Sequence, residues 1–171
     1  MTLSEQSAII IAAIENEFLQ PEDIVLWADN VLVEEKNPPA WIIELSTLNS
    51  PHLVDYAFRL KQQAPPSLSL RREVQIIVLA HEAGIISRTN ALAKLFRAMI
   101  IRGNKKRREE PLDHQLGVAL SEWDQLMDLQ LDTPKNELDK LNDKFTALFQ
   151  EYLSDASQVA EVLPWKLKAN E

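Results

Sequence analysis

At 171 residues, 46% hydrophobic and 26% charged, the chain is long enough to bury a core and too apolar to remain disordered. It lacks cysteine, which excludes disulfides, thiolate nucleophiles and cysteine-ligated zinc and agrees with a reducing cytoplasm. Its net charge of −8 argues against a dedicated nucleic-acid surface.

The start, MTLSEQSAIIIAAI, has no basic residue ahead of its apolar stretch and makes a poor secretion signal. Apolar runs such as AIIIAAI are too short to cross a bilayer, so a cytoplasmic protein with no membrane span is expected. Three glycines and nine prolines, the latter clustered between periodic segments, fit helices. Proline is tolerated in a helix's first turn, whereas hairpin-rich β folds need many left-handed turn positions.

Thr2 and Glu5 have the spacing of a capping box and open a first helix to about Phe18. Gln20-Pro21-Glu22-Asp23 starts a second, with acids where the helix dipole favours them. Asn37-Pro38-Pro39 stops it and leads into a third, Ala40 to Leu48. Asn49-Ser50-Pro51 repeats the device for a fourth, ending near Gln63. A fifth runs from about Ser69 to Gly84; its β-branched stretch Val74–Leu79 also fits a buried strand, but no partner strand is evident. Ser87 caps a sixth that Gly103 ends.

Leu116, Leu120, Trp123 and Met127, then Leu138, Leu141, Phe145, Leu148 and Tyr152, alternate spacings of three and four. Joined by LDTP, with Thr133 as cap and Pro134 behind it, these stripes predict an antiparallel α-hairpin. From Ala156 a short helix follows, with Trp165 docking the tail. The expected fold is therefore all-α: a multi-helix bundle of roughly eight helices in a single helical domain over residues 1–171. A sub-boundary at the basic loop 103–111, setting off 112–155 as the hairpin, is left open.

The stretch WADNVLVEEKNPPAWIIELSTL places two tryptophan-bearing apolar patterns beside many carboxylates. Ile24, Trp27, Ala28 and Val31 form the inward face of the second helix. Glu22 and Asp29, seven apart, share another side with Leu26 and Val33, a mixture of acids and aliphatics common at protein-binding surfaces. The plainer alternative is that Leu26 and Val33 pack under a later helix and the acids form its solvated rim. Glu44 falls between Trp41, Leu45 and Leu48, so its charge must be paired, reach an edge or cap a neighbour.

Pro21-Glu22-Asp23-Ile24-Val25, Trp27-Ala28-Asp29 and Pro38-Pro39-x-Trp41-Ile42-Ile43-Glu44-Leu45-Ser46 resemble a pattern in small bacterial helical proteins. Some of these are immunity-type partners of secreted toxins. The resemblance covers about 30 residues, carries no catalytic residue, and implies an inhibitor or adaptor that binds a basic toxin domain. Glu22, Asp29, Glu34 and Glu35 are the rim contacts expected from it and from the acidity of the segment, with Trp27 and Trp41 structural.

Charge is segregated. Residues 1–66 carry ten acids and three bases, residues 67–108 two acids and ten bases, and residues 109–171 fourteen acids and five bases. Internal pairing is the simplest account, because Arg71 and Arg72 oppose the dipole of the helix they begin and need carboxylates from elsewhere. Arg102, Lys105, Lys106, Arg107 and Arg108 form a basic loop that reads as a solvated segment, an internal or acidic-protein contact, or a phosphate contact. The absence of interleaved aromatics disfavours nucleic acid.

Chemical motifs are missing. His81-Glu82 opens like H-E-x-x-H, but Ile85 stands where the second histidine belongs. His52 and His114 have no ligand spacing, and no phosphate-binding or nucleophile-elbow motif occurs. No catalytic residue, metal or cofactor is assigned. A protein-binding module is the leading expectation. A helical metal-dependent hydrolase assembled around His81 and Glu82 is the alternative from another class, and a structural or homo-oligomeric module is a third.

Overall fold

The computed structural model describes residues 1–103, 111–128 and 135–165, with the side chains of 101–103, 127 and 128 excepted. The described residues form nine helices and no strand: α1 (Leu3–Glu15), α2 (Pro21–Glu34), α3 (Ala40–Ser46), α4 (Leu53–Lys61), α5 (Leu70–Glu82), α6 (Arg88–Gly103), α7 (Pro111–Asp128), α8 (Lys135–Leu153) and α9 (Ser157–Val162). The all-α reading holds, one helix above the rough count. Among the described residues no helix is long and apolar enough to cross a membrane.

Local chemistry sets the ends. The Thr2 hydroxyl accepts from the Glu5 N–H at 3.2 Å while the Glu5 carboxylate accepts from the Thr2 N–H at 2.8 Å, completing the capping box. α1 stops at Glu15, earlier than expected. Glu17 turns left-handed (φ 62), the Phe18 N–H reaches the Ala13 carbonyl and the Glu17 N–H reaches that of Ile14. This is the C-terminal bonding pattern usually built on glycine. α5 ends the same way on Gly84 (φ 72), with Ile85 bonded to Ala80. α4 begins two residues after Pro51 because His52 is its N-cap, while the Ser50 hydroxyl is bonded to the Asp55 carboxylate.

The ambiguous segment Val74–Leu79 is helical and buries every residue from Val74 to Ala80. A helix satisfies its own backbone, and the few tenths of a kcal/mol that β-branching costs are small beside about 1.5–3 kcal/mol per buried aliphatic side chain.

The chain divides into two compact units, Met1–Arg72 with Ser157–Glu171, and Glu73–Ala156, the division falling inside α5. In the first, α1 packs on α4 and α9, and α2, α3 and α4 pack on one another. Ile9, Ile10, Leu19, Ile24, Ile42, Leu45, Tyr56 and Leu60 are the largest of its fully buried side chains. Trp27 Nε1 donates to Gln6 Oε1 at 3.3 Å, joining α2 to α1. Trp165 meets Phe18 edge-on at 6.3 Å, the docking expected of the tail.

In the second unit α7 packs on α6 and α8. His114 lies near Glu151 and Leu126 near Glu137, so α7 and α8 run antiparallel, as the two stripes predict. Leu116, Leu120, Leu141, Phe145, Leu148 and Tyr152 are buried, while Leu138, first in its stripe, is 37% exposed. Thr133 and Pro134, like most of the sub-boundary considered at 103–111, lie outside the described residues.

Candidate functional site: an acid–aliphatic face on the second helix

α2 buries Ile24, Trp27, Ala28 and Val31, the stripe predicted to face inward. Trp27 packs at 6.4 Å against the half-buried Trp41 of α3, which gives both tryptophans a structural role. With that stripe inside, helical geometry turns Glu22, Leu26, Asp29 and Val33 outward. Glu22 and Asp29 are exposed, Leu26 is half-buried and Val33 is 86% exposed. Of the plainer reading, in which Leu26 and Val33 pack under a later helix, the Val33 part is contradicted by that exposure, while Leu26 is half-buried.

Two polar clasps hold the neighbouring helices beside this face. The Ser46 hydroxyl of α3 donates to Asp29 Oδ1. Asp29 is five residues before the end of α2 and Ser46 six residues after the start of α3, so the two helices run antiparallel about the Glu35–Pro39 link. One turn nearer the link stand Val33 on α2 and Ile43 on α3, the latter 49% exposed. On the other side of α3, Arg59 Nη1 of α4 donates to Glu44 Oε2 at 2.6 Å. Glu44, predicted to need a partner or an edge, thus has both.

Glu34 and Glu35 are exposed at the C-terminus of α2, which has no base in its last turn. Acids there oppose the helix dipole, at about 0.3–1 kcal/mol each. They lie off the Glu22–Asp29 line, at its end. Of the three bases in residues 1–66, Arg59 is engaged by Glu44 and Lys61 by Glu15 at 2.7 Å. The outward field of this corner is therefore acidic.

The exposed apolar residues of α4, Val54 at 69% and Phe58 at 62%, and the Arg59–Glu44 pair were not singled out from sequence. A signal was present: Val54 and Phe58, four apart, fall opposite the Leu53, Tyr56 and Leu60 stripe.

His81 packs against the second helix of the α7–α8 hairpin. Its ring meets Phe149 of α8 edge-on at 5.7 Å, and Nδ1 stands 3.4 Å from the Ile86 carbonyl. Glu82 is exposed, and among the described residues no three His, Asp or Glu side chains converge as metal ligands would. Two shallow grooves of about 270 and 330 Å³ run along the α7–α8 seam. They meet at Lys144, which is bound to Glu122 at 2.8 Å, and include none of the predicted acids.

Of the basic cluster, Lys105, Lys106, Arg107 and Arg108 lie outside the described residues, and Arg102 is described only as part of α6. Elsewhere in the basic third, Arg72 Nη1 lies 3.7 Å from Glu5 Oε1, a partner of the kind its position at a helix start demands. Arg88 instead donates to the Asn142 carbonyl at 2.7 Å and the Thr146 hydroxyl at 2.9 Å, over the Phe149 ring.

Comparison of the chain with protein-family models, with curated proteins and with solved structures finds no match.

Proposed function

We propose that the chain is a protein-binding module of the immunity type, which neutralises a basic toxin domain in the bacterial cytoplasm. The observation that carries this reading is the outward face of α2, where the exposed acids Glu22 and Asp29 alternate with half-buried Leu26 and with Val33, left 86% exposed by the described residues. Isolated apolar residues are ordinary on a surface, but Leu26 and Val33 alternating with two carboxylates offer apolar contact and charge along one line. An acidic face also speeds capture of a basic partner by electrostatic steering, which suits an inhibitor that must act before its target does harm.

The test is to express the products of the adjacent reading frames and titrate each with this chain at low and moderate salt. The reading predicts a tight complex with a basic product, weakened by salt and by Glu22→Lys with Asp29→Lys. Complex formation indifferent to those reversals would remove the assigned face, and neighbours that form no complex would remove the function.

A further inference from the structure

The outward residues of α2 follow the spacing four, three, four: Glu22, Leu26, Asp29, Val33. That is the spacing of the contact line between two supercoiled helices. The acids recur seven residues apart and so do the aliphatics, each pair about 10 Å apart along the axis. The buried face of the same helix is already satisfied by Ile24, Trp27, Ala28 and Val31, so this line is a second, independent seam. Its aliphatic members grow more exposed along the helix, from half-buried Leu26 to Val33 at 86%. Ile43 widens the apolar end.

We infer that α2 receives a cationic amphipathic helix of the partner, carrying Lys or Arg against Glu22 and Asp29 and aliphatic side chains against Leu26 and Val33. The inference rests on the protein-binding reading above and adds the shape and register of what is bound. Charge complementarity selects this occupant. A second copy of α2 would set acid against acid in parallel register. In antiparallel register it would bury carboxylates beside aliphatics with no cation to meet them. A basic helix supplies the counter-charge at each acid, and Asp29 is pre-oriented for it by the Ser46 hydroxyl. An extended strand, with its side chains in period two, cannot match a four–three line.

The probe is a synthetic three-heptad peptide with Lys and Leu alternating on four–three spacing. One control has the same composition in strict alternation, and a second has Glu in place of Lys. Binding to the full chain is followed by anisotropy of the labelled peptide. The patterned Lys–Leu peptide is expected to bind and become helical, with both controls at least about tenfold weaker. Val33→Asp, and separately Glu22→Gln with Asp29→Asn, each weaken it about tenfold or more. Charge-matched Glu137→Gln with Glu151→Gln on α8, and Phe58→Asp on α4, leave it unchanged.

Equal binding of the alternating control would reduce the effect to charge alone and overturn the inference. So would a loss at Phe58→Asp as large as at Val33→Asp. If a neighbouring gene product binds through Glu22 and Asp29 while the patterned peptide neither binds nor competes, the helix inference fails and the protein-binding reading survives.

Discussion

In the unit Met1–Arg72 with Ser157–Glu171, the polar contacts between α2, α3 and α4 lie at the surface: Asp29 with Ser46, and Glu44 with Arg59. Of its buried polar groups, Ser7 bonds to the Leu3 carbonyl at 2.9 Å and Asp23 to the Gln20 N–H at 2.8 Å, while the Tyr56 hydroxyl donates to the Leu48 carbonyl at 2.6 Å and the Trp27 indole to Gln6 at 3.3 Å. The unit Glu73–Ala156 adds bonds between buried polar side chains far apart in sequence. The Tyr152 hydroxyl donates to the buried Asp113 carboxylate at 2.7 Å, and the buried Gln75 amide donates to the Tyr152 carbonyl and to Asp155 at 3.2 and 2.6 Å. Long helices can slide along a leucine seam with little change in apolar burial, so an interior bond of fixed direction sets their register. Short helices joined by a tight link have less freedom to slide. Their clasps can sit outside, where carboxylates remain available to a partner.

Two phenylalanines make the sharpest break in that comparison. Phe145 is fully buried in the second unit and Phe58 is 62% exposed in the first. Phe145→Ala is expected to cost about 3–5 kcal/mol in urea denaturation, because it removes transfer energy and leaves a cavity. Phe58→Ala should stay within about 0.5 kcal/mol. Equal costs would mean that α4 does not present Phe58 outward.

The interior bond is tested next. Tyr152→Phe keeps the ring and leaves the Asp113 carboxylate without its donor, at about 1–3 kcal/mol. A double-mutant cycle with Asp113→Asn should show coupling between the two. Ser46→Ala, which removes the corresponding surface clasp, should cost less, because water replaces the hydroxyl at Asp29.

The helices were legible because caps and periodicity are local: Thr2 with Glu5, Ser87 before α6, and the alternating stripes of α7 and α8 all specify their neighbours. The end of α1 was not, because the left-handed residue is Glu17, and nothing in its type announces that conformation. For the candidate site, the sequence showed that Glu22, Leu26, Asp29 and Val33 share a side and that Glu44 needs a partner. Whether Val33 is covered depends on where a distant helix lies, and the identity of Arg59 as partner depends on how α3 and α4 cross. Neither is a property of spacing. The interior contact of Tyr152 with Asp113, 39 positions apart, is beyond local reading for the same reason.

A smaller effect separates cap from charge. Thr2→Ala should cost about 0.5–2 kcal/mol through the lost cap. The Glu5 carboxyl is held below its ordinary 4.5 chiefly by the Thr2 N–H, then by the Thr2 hydroxyl and the charge of Arg72, with burial opposing. Its folded value being depressed, the stability it supplies is complete above its unfolded pKa and is lost as pH falls through the folded one. Acid titration of Thr2→Ala should therefore show a shallower loss below pH 4.5 than the parent, and identical slopes would disconnect Glu5 from the hydroxyl.

The smallest expected effect returns to the outward face. Arg59 and Glu44 are 41% and 59% exposed, so water screens the pair and their coupling should be about 0.2–1 kcal/mol, smaller in high salt. The consequence for binding is larger than for stability, and it differs between the two clasps. Glu44 already faces a full positive charge, whereas Asp29 is met by a neutral hydroxyl and keeps its field. A cationic helix should therefore lose more affinity to Asp29→Asn than to Glu44→Gln, while Arg59→Gln, by releasing Glu44, should slightly raise it. If Glu44→Gln proved the more damaging change, the acidic centre would lie between α3 and α4, and the seam on α2 would be only its margin.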